Sequence, residues 1–152
     1  MSALVLAVLL ALVQATPAAS KADALSEAAR KGDAAAVKKL LDEGVPVDTK
    51  FRYDRTALSF AADRGHVEVV KLLLARGADI NAKDTFYKAS ALSWAVSPAM
   101  DRKPQHTEVV KVLLEHGGIG AEDLTNALMG AKQMKLDEVV ALLEKAGAKP
   151  KD

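Results

Sequence analysis

The residues best suited to acid–base or metal chemistry in this sequence are three histidines, His66, His106 and His116. A catalytic or metal site needs several such groups to converge on one point. His66 and His106 each fall at the start of a helical pattern. His116 falls at a helix end, where a cation suits the helix dipole, and no serine or aspartate is spaced to pair with it. Cysteine is absent, which excludes disulfides, thiolate nucleophiles, zinc–thiolate sites and a lipid-modified cysteine.

Three glutamates, Glu68, Glu108 and Glu138, each stand directly before a Val-Val pair. An acid–base pair has no reason to recur in this way, whereas a residue of the first turn on a helix surface does. The glycine run 117–120 has no strand and crossover around it, so it matches no dinucleotide fingerprint. The sequence therefore predicts no catalytic residue, no metal site and no cofactor, and hence no enzyme.

Two short helices in the stretch 56–84 position the first of these residues, His66 and Glu68. The first is predicted over 57–64 and is broken by Gly65. The second is predicted over 67–75, with apolar residues at helical spacing, and is ended by Gly77, a residue able to take the left-handed turn. Such a pair cannot bury its apolar seam alone, so it needs neighbours of the same kind.

Similar pairs recur along the chain. Residues 25–44 match 58–77 at an offset of 33, and residues 90–92 match 56–58 at an offset of 34. Residues 106–114 match 66–74 at an offset of 40, because six residues are inserted near 97–105. A weaker copy spans 126–128 and 137–147. A period near 33 residues with this content indicates a solenoid.

The stretch 56–84 resembles the ankyrin repeat, whose pattern is roughly T-P-L-H-x-A-A-x-x-G-H-x-E-V-V-K-L-L-L-x-x-G-A-D-x-N. The main departures are Ala57 in place of proline and Ser59 in place of histidine. The resemblance covers about residues 22–148. It implies an all-α fold, an ankyrin-repeat solenoid of about four helix-turn-helix repeats with β-turn fingers. In this pattern, His66 and His106 are similar to a structural histidine that bonds across the turn.

The implied repeat domain covers residues 21–148, with repeats at about 22–54, 55–88, 89–121 and 122–148 and a frayed tail at 149–152. Asp23 is expected to cap the first helix. Two fingers are expected at 45–55 and 81–89, with Asp54 where the family usually has a glycine of positive φ. Proline in the insertion 97–105 indicates an exposed loop, and the third finger is expected to be short or absent.

The N-terminal residues 3–13 are an unbroken apolar run. Eleven residues are too few for a membrane span, which needs about 20, but they suit a signal peptide with a cleavage site after Ala15. No Lys or Arg precedes the run. We expect a signal peptide and short linker over 1–20, no stable membrane span after cleavage, and a periplasmic or secreted protein. The alternative is a cytoplasmic adaptor that keeps this run as an N-terminal helix packed on the first repeat.

All six aromatic residues lie between positions 51 and 94, four of them on the two fingers. Rings flanked by arginine resemble interface anchors. Phe60 and Trp94 suit the core and an interface equally, whereas Tyr53, Phe86 and Tyr87 favour binding. The predicted partner-binding residues are Phe51, Arg52, Tyr53, Arg55, Phe60, Arg64, Phe86, Tyr87, Lys88, Trp94 and Arg102.

The expected function is a protein–protein interaction module that binds an unidentified protein partner, since ankyrin domains resemble binding scaffolds. With 21 basic and 20 acidic residues, the net charge of +1 gives no reason to expect nucleic acid as a partner. We expect a monomer. One alternative is a small-molecule or haem carrier that uses His66, His106 or the loop around Met100.

Overall fold

The computed structural model describes residues 17–97 and 101–151. These ranges contain eight α-helices and one 3₁₀ turn, and no strand. The helices are α1 (Pro17–Lys31), α2 (Ala34–Asp42), α3 (Ala57–Arg64), α4 (Val67–Ala75), α5 (Ala91–Val96), α6 (Pro104–His116), α7 (Ala121–Gln133) and α8 (Asp137–Lys145), and the 3₁₀ turn is Arg52–Asp54. They form four consecutive pairs. Each odd-numbered helix contacts the next odd-numbered helix, and each even-numbered helix contacts the next even-numbered one.

Local sequence explains the bounds of the second pair, α3 and α4, which agree with those predicted. Thr56 caps α3 by accepting the Ser59 N–H, and the Ser59 hydroxyl accepts the Thr56 N–H in return. Gly65 ends α3 with φ of 74°. Such a conformation strains any residue that carries a Cβ.

The interior is a row of aliphatic side chains at equivalent positions of the four odd-numbered helices. Leu25, Leu58, Leu92 and Leu128 are all fully buried. They are flanked by small residues, such as Ala61, which let neighbouring helices approach closely. The predicted helical solenoid is therefore confirmed.

The first helix begins earlier than predicted. Because α1 starts at Pro17, Asp23 lies inside it and does not cap it. Proline is favoured in the first helical turn, where its missing N–H is not needed. Residues 17–20, expected as part of a linker, belong to α1. The apolar run 3–13 and the cleavage site after Ala15 lie outside the described residues.

The insertion 97–105 is partly helical, unlike the predicted loop, and the third finger is replaced by helix. Pro104 does not lie in a loop but is the first residue of α6, again because proline is favoured there; Met100 lies outside the described residues. Only residues 117–120 connect α6 to α7, so the third finger is absent as anticipated. Its place is taken by extra helix, since α7 begins at Ala121, five residues before the predicted match to the repeat pattern.

Within the described ranges, each helix is too short or too polar to cross a membrane.

Candidate functional site

The two fingers are joined at their tips. The Thr85 N–H donates to the Tyr53 carbonyl at 2.8 Å. Asp54 has φ of 57°, which confirms the predicted left-handed conformation, and Lys88 at the equivalent position of the second finger has φ of 56°. Tyr53 is also left-handed, with φ of 61°, which the sequence did not indicate. Bulky residues adopt this conformation rarely, so the surrounding contacts must hold it.

Three aromatic rings, which we call the tip cluster, lie exposed on these fingers: Tyr53, Phe86 and Tyr87. Their relative exposures are 46%, 62% and 67%. The ring centroids of Tyr53 and Phe86 lie 5.3 Å apart, and those of Phe86 and Tyr87 lie 4.6 Å apart, edge to face. The tip cluster is therefore a continuous apolar surface that crosses from one finger to the next. Exposed apolar patches of this kind commonly mark binding sites.

A buried carboxylate holds the second finger in shape. Asp84 is 3% exposed. Its Oδ1 accepts the backbone N–H groups of Phe86 and Tyr87 at 3.0 and 2.6 Å. Its Oδ2 accepts the indole N–H of Trp94 at 3.0 Å. Asp84 thus links the tip cluster to α5. The sequence does not indicate this role, because nothing in the repeat pattern relates Asp84 to Trp94.

The guanidinium of Arg55 fills the space between repeats two and three. Its carbon lies 4.3 Å from the ring centroid of Phe60 and 4.0 Å from that of Trp94. The group donates to the Ser59 carbonyl at 3.2 Å and pairs with Asp63 at 3.1 Å. Burial lowers the pKa of Arg55, and the charge of Asp63 opposes that change; the side chain stays a cation, because arginine titrates far above neutral pH. We call this arrangement the Arg55 site.

These contacts separate two roles among the predicted binding residues. Phe60 and Trp94 are both buried, so they serve the packing between repeats. Arg30 also stacks on Phe60, at 4.1 Å from the ring centroid, which sequence analysis missed. Arg55 is largely enclosed by its partners. These residues support the fingers from behind, whereas the tip cluster is accessible.

The remaining predicted residues are spread over the same face and beyond it. Phe51 is half-buried and its ring lies 6.0 Å from that of Phe60. Arg52 is exposed and lies over the Tyr53 ring at 4.7 Å. Arg64 and Lys88 are exposed.

Arg102 instead closes the end of α5. It donates to the Ala95 and Val96 carbonyls at 2.6 and 3.2 Å and to the Thr107 hydroxyl at 2.9 Å. Burial lowers its pKa.

The exposed charges on the two fingers, 45–55 and 81–89, are all positive. Their exposed charged side chains are Lys50, Arg52 and Lys88. The acidic side chains of the same segments are half-buried or buried, as for Asp54 and Asp84. The exposed charges on the two fingers that carry the tip cluster are therefore all cationic.

Two of the histidines link adjacent repeats. The His66 side chain makes no capping hydrogen bond to α4. Its Nε2 instead contacts the Arg30 carbonyl at 2.8 Å. The buried His106 ring contacts the Asp63 carbonyl through Nε2 at 2.9 Å, and its Nδ1 accepts the Lys103 N–H at 2.9 Å. Both rings therefore bond to the end of the first helix in the preceding repeat, a longer-range role than bonding across one turn.

Neither histidine belongs to a metal cluster: the described residues contain no group of three His, Cys, Asp or Glu side chains that could hold a metal ion. The recurring glutamates lie on the surface. Glu68 pairs with Lys71 at 3.3 Å, and Lys111 pairs with both Glu108 and Glu138, at 2.9 and 3.1 Å. The hydrogen bonds that Lys111 donates to these two glutamates raise its pKa. Their recurrence thus reflects repeat architecture.

Comparison with known families agrees with this geometry. The family model described as ankyrin repeats, in three copies, matches residues 4–84, which is slightly more than half of the chain. No significant match to a curated protein is found. The helix pairs α5–α6 and α7–α8, beyond the matched range, continue the same stack with the same buried leucine positions. The chain belongs to the ankyrin repeat family.

Proposed function

We propose that this protein is an exported, non-catalytic module that captures a protein partner through the tip cluster. Ankyrin repeats are generally protein–protein interaction modules and are typically not enzymes. The observation that supports this site is the exposure of three touching rings on two fingers whose backbones are bonded together. Aromatic side chains carry a large share of binding energy when a partner covers them.

The charges around the tip cluster favour an acidic partner surface. Lys50, Arg52 and Lys88 would face the rim of such an interface, where charges mainly raise the association rate and set specificity. The association rate constant should therefore fall as salt is added, while the dissociation rate changes little.

The experiment begins with a cross-linked pull-down from the native host and continues with calorimetry on the partner identified. The test variant is Tyr53→Ala combined with Tyr87→Ala. If both rings are anchors, binding should weaken by at least about 2 kcal/mol, or roughly thirtyfold. The matched control is Lys71→Ala with Lys111→Ala, which removes two long side chains from α4 and α6. The control should bind as the wild type does, and unchanged affinity in the tyrosine variant would reject the proposed site.

Export is supported by the signal-peptide pattern of residues 1–15, and cleavage after Ala15 would leave α1 whole because that helix begins at Pro17. The intact mass of the protein recovered from its host tests this point. Loss of the first 15 to 20 residues is the expected result. A mass that includes the segment 4–13 would show instead that the apolar run is retained.

A further inference from the structure

A groove of about 450 Å³ opens between α5 and α7, next to the tip cluster. Its lining is uncharged and mostly apolar. The residues that form it include Tyr87, Ala89, Trp94, Ser97, Ala127 and Gly130. Tyr87 belongs to both the groove and the tip cluster, so the two features form one continuous surface.

The groove arises because two large side chains of the preceding repeats are missing here. Aligning the buried leucines Leu58, Leu92 and Leu128 places Gly130 opposite Phe60 and Trp94. The same alignment places Ala89 opposite Arg55, each directly before the first residue of its repeat pattern. The groove is therefore the counterpart, one repeat later, of the filled Arg55 site.

The packing of the protein does not require glycine at position 130. A Cβ built there would lie 3.6 Å from the Ser97 hydroxyl and 3.7 Å from a Val96 methyl, which are ordinary contacts. Gly130 is inside α7, where glycine is less favourable than alanine. Here its effect is to keep the groove open.

The lining also indicates what kind of group fits. In the Arg55 site, a planar cation lies between two rings and pairs with Asp63. The counterpart of Asp63 in the groove is Ser97, and the groove has no carboxylate in its lining. A guanidinium would lose its charge partner there, whereas a neutral ring would keep the stacking surface of Trp94 and find hydroxyl groups at its edge.

We propose that this groove receives an aromatic side chain of the protein partner, which takes the place that Phe60 and Trp94 occupy in the preceding repeats. This inference rests on the proposed function, since the ring would belong to a segment that also covers the tip cluster. It adds the chemistry of the partner: an aromatic anchor within an acidic surface.

The test uses the full ¹⁵N-labelled protein and small neutral amides as probes. Trp94 is the only tryptophan, so its indole N–H gives a single, unambiguous signal. N-acetyl-phenylalaninamide and N-acetyl-tyrosinamide should shift this signal and the amide signals of Ala127 and Gly130 saturably. N-acetyl-leucinamide and N-acetyl-argininamide should bind about tenfold more weakly or not at all.

Two filled variants serve as controls for the site. Gly130→Phe supplies the missing ring and should abolish the shifts while circular dichroism shows an intact fold. Ala89→Phe extends a neutral ring into the groove from the finger and should have the same effect, so the test remains decisive if Gly130→Phe does not fold. Tyr53→Ala lies outside the lining and should leave the probe titration unchanged.

Three results would overturn the inference: no saturable shift with either aromatic amide, equal affinity for the leucine amide, or shifts that persist in a folded, filled variant. The proposed function fails separately, through the partner affinity of the Tyr53→Ala and Tyr87→Ala variant. Loss of partner capture in that variant without probe binding in the groove would refute the groove alone.

Discussion

Replacing Asp84 by alanine should destabilise the protein by about 2–4 kcal/mol, and the contacts of this carboxylate explain the size. The change leaves the buried indole N–H of Trp94 without its acceptor, which costs about 1–3 kcal/mol. It also removes the acceptor of the Phe86 and Tyr87 N–H groups, a loss comparable to that of a helix cap at about 1 kcal/mol. These N–H groups are near the surface, so water can replace part of this second interaction.

Asp84→Asn separates the two contributions. Its amide oxygen can still accept from the backbone of the finger, but its NH₂ group would then face the indole N–H, donor against donor. We expect it to lose only the Trp94 contribution, about 1–3 kcal/mol. Asp101→Ala, at an exposed position, is the control and should stay within about 0.5 kcal/mol of the wild type.

Urea unfolding followed by circular dichroism at equal protein concentration measures all three variants. A thermal scan should show the alanine variant melting roughly 4–16 °C lower, because about 1 kcal/mol corresponds to 2–4 °C for a chain of this length. If Asp84→Ala unfolds within about 0.5 kcal/mol of the wild type, the carboxylate does not hold the finger, and the reasoning from its three hydrogen bonds is wrong.

Three further predictions follow from other contacts. Gly130→Ala should stabilise the fold by about 0.5–1 kcal/mol in urea unfolding, because it removes an interior helix glycine without a clash; destabilisation would show that the site is tighter than described. His106→Ala should destabilise by about 2–4 kcal/mol, since it opens a cavity and removes the hydrogen bond between the ring and the Asp63 carbonyl. A loss below about 1 kcal/mol would refute its linking role. Hydrogen bonds from Lys38 and Arg76 lower the pKa of Asp42. This exposed carboxylate therefore stabilises the fold at pH values above the pKa that it has in the unfolded chain. The stabilisation is lost as the pH falls through the lower pKa that it has in the folded protein. Arg76→Ala should raise the pKa of Asp42 in an NMR titration, and an unchanged pKa would contradict the bridge between repeats.

The fold was predictable because the residues that form the core of a repeat protein recur at a fixed spacing in each repeat. Leu58, Leu92 and Leu128 recur at equivalent positions and fill equivalent places. The boundaries at Pro17 and Pro104 were harder, because a proline that ends one helix and a proline that begins another look alike in the sequence. Their positions depend on which helix the neighbouring residues join.

The candidate site was predictable in its parts but not in their relations. Exposed rings on the fingers follow from composition and finger length. The stacking of Arg55 between Phe60 and Trp94, and the bond from Trp94 to Asp84, depend on how a finger lies against two helices from different repeats. No periodicity encodes such contacts, since each occurs at one junction only.

The histidine links have a consequence for the order in which the stack opens. His66 ties repeat two to repeat one, and His106 ties repeat three to repeat two. The corresponding position in repeat four is Leu136, which has no ring nitrogen to offer. The C-terminal repeat therefore lacks the histidine hydrogen bond that links each of the two repeats before it to its neighbour. We expect this repeat to unfold locally before the others and to exchange its amide protons fastest. Because Gly130 lies on that repeat, one wall of the groove is the most easily displaced part of the stack, and its width can adjust to what enters.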